Sequence, residues 1–244
     1  MKRYTTLFLL LAVLFGCSKR EDTAMLPPGY PPQPDSYPLP ATDISDDVRA
    51  KLNPWVAGFI GLSPQQATAR LQKRWESIES KPLLGLRSVL GEFEVREIVD
   101  YGDGGLIYAV RPNAEDQNVG NAFYLPAPID AELLASRLND SNLSDVDNLP
   151  EFMTHFGGLA EDTTTAGQFV HTENPWPTFT DSWDGSIEGF DEWKDSLMLY
   201  HARNGCILLV RSDGHVAWWV MQEAVVREIA QSFGEFIEPI RRPP

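Results

Sequence analysis

The residues whose types could carry function are densest between residues 181 and 195. Acidic and aromatic side chains are interleaved there, and Lys194 is the only base. Tryptophan anchors surrounded by carboxylates suit a basic protein partner. The same pattern is equally compatible with tryptophans that pack in the core while the acids face solvent. The predicted partner-binding residues are Asp181, Trp183, Asp184, Glu188, Asp191, Glu192, Trp193 and Asp195.

The sequence contains no recognisable catalytic or metal-binding motif. The four histidines, His155, His171, His201 and His215, lack zinc-ligand spacing, and neither a Gly-x-Ser-x-Gly elbow nor a phosphate-binding loop is present. An acid pair for glycoside hydrolysis is conceivable, but no spacing singles one out. We therefore predict no catalytic residue, no metal ligand and no cofactor. We interpret His215 as a hairpin-turn residue and His155 as a group whose charge suits a helix end.

The N-terminus has the features of an export signal. Lys2 and Arg3 precede an apolar run from Leu7 to Phe15, which is too short to span a bilayer. Leu14-Phe15-Gly16-Cys17 then resembles a bacterial lipobox, in which the cysteine is acylated and becomes the new N-terminus. Ser18 follows, and by resemblance to sorting in Gram-negative envelopes it favours the outer membrane, facing the periplasm or the exterior.

Charge and cysteine content narrow the classes of partner. The chain has 20 basic and 35 acidic side chains, and without Lys2 and Arg3 it keeps 18 basic ones. Such an acidic protein is a poor nucleic-acid binder, whereas a basic protein or a cation would be attracted. If Cys17 is acylated, Cys206 has no disulfide partner, and its apolar neighbours predict a small buried residue.

Local signals predict an N-terminal tether followed by alternating helices and strands. The proline-rich stretch within 18–45 favours an extended conformation. Ser63-Pro64-Gln65-Gln66 predicts a helix start, with Ala67, Leu71, Trp75 and Ile78 on its apolar face. Further predicted elements are strands at Phe93–Val99, Leu106–Val110 and Phe123–Leu125, a helix capped by Asp130, and a helix over 149–156 closed by Gly157-Gly158.

The C-terminal part predicts one hairpin between two helices. A helix is predicted over Asp191 to Tyr200, and strands over Ile207–Arg211 and Val216–Met221. The last helix would carry Val226, Ile229, Phe233, Phe236 and Ile240 on one stripe. The long loop before residue 189 indicates either function or undetected strands. The predicted class is α+β, with a mostly antiparallel sheet and helices packed beside it.

Three motifs of the C-terminal half occur in a characteristic order. The first is a helix that begins at Leu149-Pro150-Glu151-Phe152 and ends at Gly157-Gly158. The second is a pair of apolar strands around an Asp213-Gly214 turn, and the second of these strands contains Trp218-Trp219. The third is a closing helix pattern, Ala230-Gln231-Ser232-Phe233 with Phe236. In this order they resemble the SUKH superfamily, the group of yeast cell-wall-regulator homologues and bacterial immunity proteins. The resemblance covers roughly 145–240 and reaches at most to residue 85.

The resemblance implies a SUKH-like domain that binds proteins without catalysis. Many bacterial members neutralise toxins, mostly in the cytoplasm, so a lipoprotein would instead meet a toxin in transit or an envelope component. The expected organisation is a lipoprotein signal over 1–17, a tether over 18–45, a helical extension over 46–84 and the SUKH-like domain over 85–241. The alternatives are an envelope scaffold or structural lipoprotein and, with less support, an envelope hydrolase.

Overall fold

The structure is a computed structural model that describes residues 35–100, 102, 104–112, 122–161, 167–171, 175–182, 188–202 and 206–238. The signal segment with Cys17 therefore lies outside the described residues, as do Trp183 and Asp184 of the acidic segment. The described part confirms the predicted class, because helices pack beside a sheet in which all neighbouring strands are antiparallel.

Ten strands of the described chain follow one another across the sheet in sequence order. They are β1 (Asp35–Pro38), β2 (Glu94–Asp100), β3 (Leu106–Val110), β4 (Ala122–Pro126), β5 (Ala160–Glu161), β6 (Gly167–Phe169), β7 (Leu197–Ala202), β8 (Cys206–Val210), β9 (Val216–Val220) and β10 (Val225–Ala230). The helices are α1 (Asp46–Lys51), α2 (Pro54–Ala57), α3 (Pro64–Lys73), α4 (Lys81–Leu90), α5 (Ala131–Asp140), α6 (Leu149–Phe156), α7 (Phe179–Ser182), α8 (Phe190–Trp193) and α9 (Phe233–Ile237).

Helix α3 begins where the sequence predicts it. Ser63 Oγ accepts from the backbone N–H of Gln66 at 3.3 Å, and Gln66 Oε1 accepts from the N–H of Ser63 at 3.0 Å, which completes a capping box. The helix ends at Lys73, earlier than its apolar period suggests, but Trp75 and Ile78 are still buried in the turns that follow. The apolar period therefore predicted burial correctly beyond the helix itself.

The other local signals are also confirmed. Asp130 caps α5 by accepting from the N–H groups of Glu132 and Leu133 at 3.0 and 3.1 Å. The β2–β3 hairpin closes through Gly102, Gly104 and Gly105, whose φ angles of 88°, 102° and 78° favour glycine. Helix α6 spans 149–156 and stops at Gly157, as expected.

The tether prediction is wrong for residues 35–45. Strand β1 pairs with β2 from Asp35 opposite Asp100 to Pro38 opposite Glu97, and Ala41 and Ile44 are buried in the core. Proline is tolerated there because β1 is the edge strand, whose outer side needs no ladder hydrogen bonds. Residues that the proline content assigned to a spacer thus belong to the sheet and to its core.

The predicted boundary between residues 84 and 85 does not separate two packed units. Residues 46–84 are helical as predicted, but α4 runs across the boundary from Lys81 to Leu90. One hydrophobic cluster contains Val56 and Leu71 of the N-terminal helices together with Ile98 of β2 and Phe233 of α9. The helical extension is therefore part of the same core as the sheet.

Strands β7 to β10 are covered on both faces. Cys206, Leu208 and Val210 of β8 join the main core, while Ile207 and Leu209 point to the other face. Cys206 is buried, as its neighbours predicted. A strand that is apolar on both faces loses the alternating pattern by which a half-exposed strand is recognised.

Two predicted helices of the C-terminal part are wrong. The first is explained by the missing alternation of a strand covered on both faces, and the second by pairing with a neighbouring strand. The helix predicted over Asp191 to Tyr200 is only the short α8, after which the chain forms β7. The stripe from Val226 to Phe236 is not one helix either, because Val225–Ala230 forms β10 against β9 and only Phe233–Ile237 is helical. Ile240 lies outside the described residues. The β-branched residues of β10 gain a ladder with β9 that overrides their helix-like spacing.

Candidate functional site

The acidic segment forms a cover over one face of strands β7 to β10. Its described residues contribute the short helices α7 and α8, which lie over a second hydrophobic cluster. The cluster consists of Phe179, Trp193, Met198, Ile207, Leu209, Ala217 and Trp219, with Phe190 and Val226 partly buried against it. The described aromatic residues of the segment, Phe190 and Trp193, therefore have a packing role.

Trp193 illustrates this role most clearly. Its side chain is only 3% exposed, and the Arg211 guanidinium lies over the ring with Cζ 5.2 Å from the centroid. A partner cannot use this ring as an anchor while α8 is folded. The prediction of Trp193 as a partner-binding anchor is therefore wrong, and the alternative interpretation as core holds for this residue.

Asp181 has a local structural role as well. Its carboxylate accepts from the backbone N–H of Thr178 at 2.7 Å and from the Thr178 hydroxyl at 2.8 Å. These two hydrogen bonds hold the pKa of Asp181 below its usual value. Because Thr178 directly precedes α7, the contact has the geometry of the acid in a capping box. Asp181 therefore stabilises the start of α7.

Glu192 belongs to an ion cluster at the β8–β9 turn. Arg211 Nη1 lies 2.6 Å from Glu192 Oε1, and Arg211 Nη2 also pairs with Asp213. Desolvation raises the pKa of Asp213, but the hydrogen bond from the N–H of His215 and the charges of Arg211 and His215 outweigh it, so that the pKa is lowered overall. The cluster joins α8 to the turn, which leaves Glu192 less available to a partner.

Three predicted carboxylates remain exposed without an ion pair in the described part of the chain: Glu188, Asp191 and Asp195. Asp191 and Asp195 flank Trp193 on the outer side of the cover. Glu188 is held by its backbone, which donates to the carbonyl of Ala224 at 3.4 Å and accepts from the N–H of Val226 at 3.3 Å. Backbone pairing fixes the position of Glu188 and leaves its carboxylate exposed.

Two histidine predictions have different outcomes. His215 lies in the β8–β9 turn as predicted, with Nδ1 3.3 Å from Glu228 Oε2. His155 is in the last turn of α6, but burial, rather than the helix dipole, dominates its environment and lowers its pKa. A buried imidazole is neutral more readily than the dipole argument assumed.

Sequence reasoning missed Arg74, a buried guanidinium at the end of α3. Nη1 donates to the carbonyl of Pro126 at 2.7 Å, and the guanidinium lies over the Trp55 ring with Cζ 5.3 Å from the centroid. Only a partial signal for this contact was present in the sequence: Arg70 and Arg74 are four residues apart on a predicted amphipathic helix. In the structure Arg70 lies over Phe59 in the same way that Arg74 lies over Trp55. Which ring each arginine meets depends on the tertiary packing of α2.

The described residues offer neither a metal-ligand cluster nor a membrane-spanning helix. No group of three or more histidine, cysteine or acidic side chains in that part of the chain could hold a metal ion. Within the same residues, no helix is long and apolar enough to cross a bilayer. The two described carboxylates with a resolved pKa change, Asp181 and Asp213, both have it lowered, which favours the anion at neutral pH.

Comparisons with known proteins found no match: no protein-family model fits the chain, and neither the curated proteins nor the solved structures contain a similar one.

Proposed function

We propose that this chain is a lipid-anchored, non-catalytic protein-binding module of the SUKH type that recognises a basic protein. Acylation of Cys17 would hold it in a bacterial envelope, in the outer membrane and facing the periplasm or the exterior. Its partner would be a toxin in transit or a component of the envelope.

The observation that carries the proposal is the meeting of the three SUKH-like motifs in space. Phe152 of α6 contacts Phe233 of α9 edge to face, with ring centroids 5.3 Å apart. Gly214 of the Asp213-Gly214 turn lies against Ser232 and Phe233, at the start of the same helix. Motifs that are about 20 to 80 residues apart in sequence thus form one packed unit, which supports their origin in one domain type.

The uneven distribution of charge supports a basic partner. Residues 122–238 contain 20 acidic and 5 basic side chains, whereas residues 35–100 contain 10 and 8. Glu188, Asp191 and Asp195 lie exposed on the cover in the acidic half. Complementary charge accelerates encounter with a basic surface and disfavours acidic competitors.

The test is capture of a partner by the full chain, purified in mild detergent and mixed with native envelope extract. We expect one stoichiometric protein that is retained at low salt and released at high salt. A variant with Glu188→Gln, Asp191→Asn and Asp195→Asn should lose it. The matched control, Asp43→Asn with Asp47→Asn and Glu76→Gln, changes the net charge equally in the other half and should retain it.

The identity of the captured protein separates the versions of the proposal. A toxin, together with sensitivity of deletion strains to toxin-producing neighbours, indicates immunity, whereas an envelope protein indicates a scaffold. If both variants behave like the wild type, the acidic cover is not the binding surface. If no protein is retained above background, the binding-module proposal is wrong and the hydrolase alternative should be assayed.

A further inference from the structure

The Arg74 guanidinium is buried with two of its nitrogens unused. Nε and Nη2 are inaccessible to solvent and make no hydrogen bond with the described residues, whereas Nη1 donates to the carbonyl of Pro126. Burial lowers the pKa of Arg74 to about 9, so the group is still charged at neutral pH. A buried charged donor without an acceptor costs several kcal/mol, which normally selects against such an arrangement.

In the described part of the chain, the Arg74 guanidinium forms no ion pair with a carboxylate. The guanidinium lies over the Trp55 ring, and His155, which forms a hydrogen bond with the Arg74 backbone, has its own Nδ1 buried and without a partner among the described residues. Stacking on Trp55 compensates part of the charge but satisfies neither Nε nor Nη2, because their hydrogens lie in the guanidinium plane. Nε and Nη2 of Arg74 therefore lack acceptors among the described residues, whereas Nδ1 of the neutral His155 ring is a buried acceptor without a donor.

Two further cations, Arg70 and Lys73, lie in the last turn of α3, directly before Arg74. The Arg70 guanidinium lies over Phe59, and Phe59 contacts Trp55 with ring centroids 5.0 Å apart. Neither Arg70 nor the neighbouring Lys73 pairs with a carboxylate of the described chain. Like charges at this spacing repel each other. The helix dipole favours cations at this end, but it does not explain donors that are removed from water.

We propose that the C-terminal turn of α3 binds an oxyanion of the phosphate type through Arg70, Lys73 and Arg74. Nε and Nη2 of Arg74 form the fork that two phosphate oxygens accept from, and the two exposed cations neutralise the remaining charge. The indole of Trp55 covers the guanidinium face, so the ligand approaches along the edge on which Nε and Nη2 lie, and that edge must open locally because both nitrogens are closed to solvent. The acidity of the whole protein does not prevent this, since residues 60–90 contain 5 basic and 2 acidic side chains.

This site is independent of the proposed function, because it lies in the N-terminal half and requires no protein partner. The probe is inorganic phosphate, added to the detergent-purified full chain at constant ionic strength, with the thermal midpoint of unfolding as the readout. We expect a saturable rise for the wild type, since a ligand that binds only the native state stabilises it. Arg74→Met should abolish the rise, and Arg70→Met should weaken apparent affinity roughly tenfold.

Two controls keep this result interpretable. Lys51→Met removes the same charge from an exposed position on α1 and should respond like the wild type. Arg74→Met is expected to fold, since it removes a buried unpaired charge; if it does not, Arg70→Met at an exposed position still tests the site. The proposal is overturned if Lys51→Met and the two arginine variants respond alike.

A second arm separates a free phosphate from a lipid headgroup. The full chain is reconstituted in vesicles of phosphatidylcholine alone or with phosphatidylglycerol, and hydrogen exchange is followed over residues 70–76. Slower exchange only with phosphatidylglycerol, and only when Arg74 is present, assigns the site to a membrane phosphodiester. A response to inorganic phosphate without a vesicle effect assigns it to a soluble phosphate. The absence of both responses in the wild type contradicts the site.

Discussion

At the residue scale, side chains of the acidic segment differ in what they contact. Trp193 fills the second core beneath Arg211, and Asp181 holds the start of α7. Asp191, two positions before Trp193, is exposed and makes no ion pair within the described residues. Substitutions at neighbouring positions should therefore have very different effects on stability and on binding.

Replacing Trp193 by alanine should lower the free energy of unfolding by about 3–5 kcal/mol, because it leaves a cavity in a fully packed cluster. Asp191→Asn, at an exposed position, should change it by less than about 0.5 kcal/mol. Urea denaturation followed by circular dichroism measures both. Equal effects would mean that α8 does not pack on the sheet as described.

Asp181→Ala should cost about 1 kcal/mol at neutral pH, the usual value of a helix cap. The lowered pKa of Asp181 means that the folded state prefers the carboxylate. Its contribution is therefore complete above the unfolded-state pKa near 3.8 and is lost as the pH falls through the lower folded-state value. Denaturation of both proteins at pH 7 and at successively lower pH should show the difference shrinking only below pH 3.8. A difference that does not depend on pH would exclude the carboxylate as the cause.

At the element scale, neighbouring strands share the fewest residue pairs in the middle of the sheet. β4 and β5 share two residue pairs, and β5 and β6 share one, whereas β2–β3 and β8–β9 each share five. Few ladder hydrogen bonds and short strands make local opening easier. The two broad halves of the sheet are thus joined by its least hydrogen-bonded part.

Hydrogen exchange should report this difference directly. We expect amides of 160–161 and 167–169 to exchange faster than those of β2, β3, β8 and β9, measured by mass spectrometry under native conditions. The β7–β8 hairpin provides an internal control, since it is broad and buried. Protection of the middle strands equal to that of β8 would show that other contacts compensate for the short ladder.

At the scale of the whole molecule, one main core joins residues near both ends of the described chain. Ala41 and Ile44 are buried in the same cluster as Phe233 and Ile237, and β1 closes the edge of the sheet. The N-terminal helices are therefore required by the domain, although the SUKH resemblance does not cover them.

Truncation tests this dependence. A chain that starts at residue 35 should unfold like one that starts at residue 18. A chain that starts at residue 46 should lose about 3 kcal/mol or more, because it lacks the β1 ladder and two buried side chains. Thermal and urea unfolding of the three chains measure the difference. Equal stability of all three would restore the interpretation of 35–45 as a tether.

The sequence by itself determined the features that depend on neighbours along the chain. The caps at Ser63 and Asp130, the Gly-Gly end of α6 and both predicted hairpins use contacts within a few residues, so their signals are local. The class of fold and the burial of Cys206 followed from these elements. For residues 181–195, the sequence showed which acidic and aromatic side chains are present. It did not show which of them are buried and which are exposed.

Only the tertiary structure decided which partner each ambiguous segment meets. Val225–Ala230 became a strand because β9 offered an unpaired edge, and Leu197–Tyr200 lost its strand signal because both faces are covered. Trp193 became core rather than anchor because the sheet face beneath it needed a cover, and Arg74 came to lie over Trp55 with unused donors. These outcomes depend on long-range packing, whose free energy exceeds local propensity but leaves no pattern within one short window of sequence.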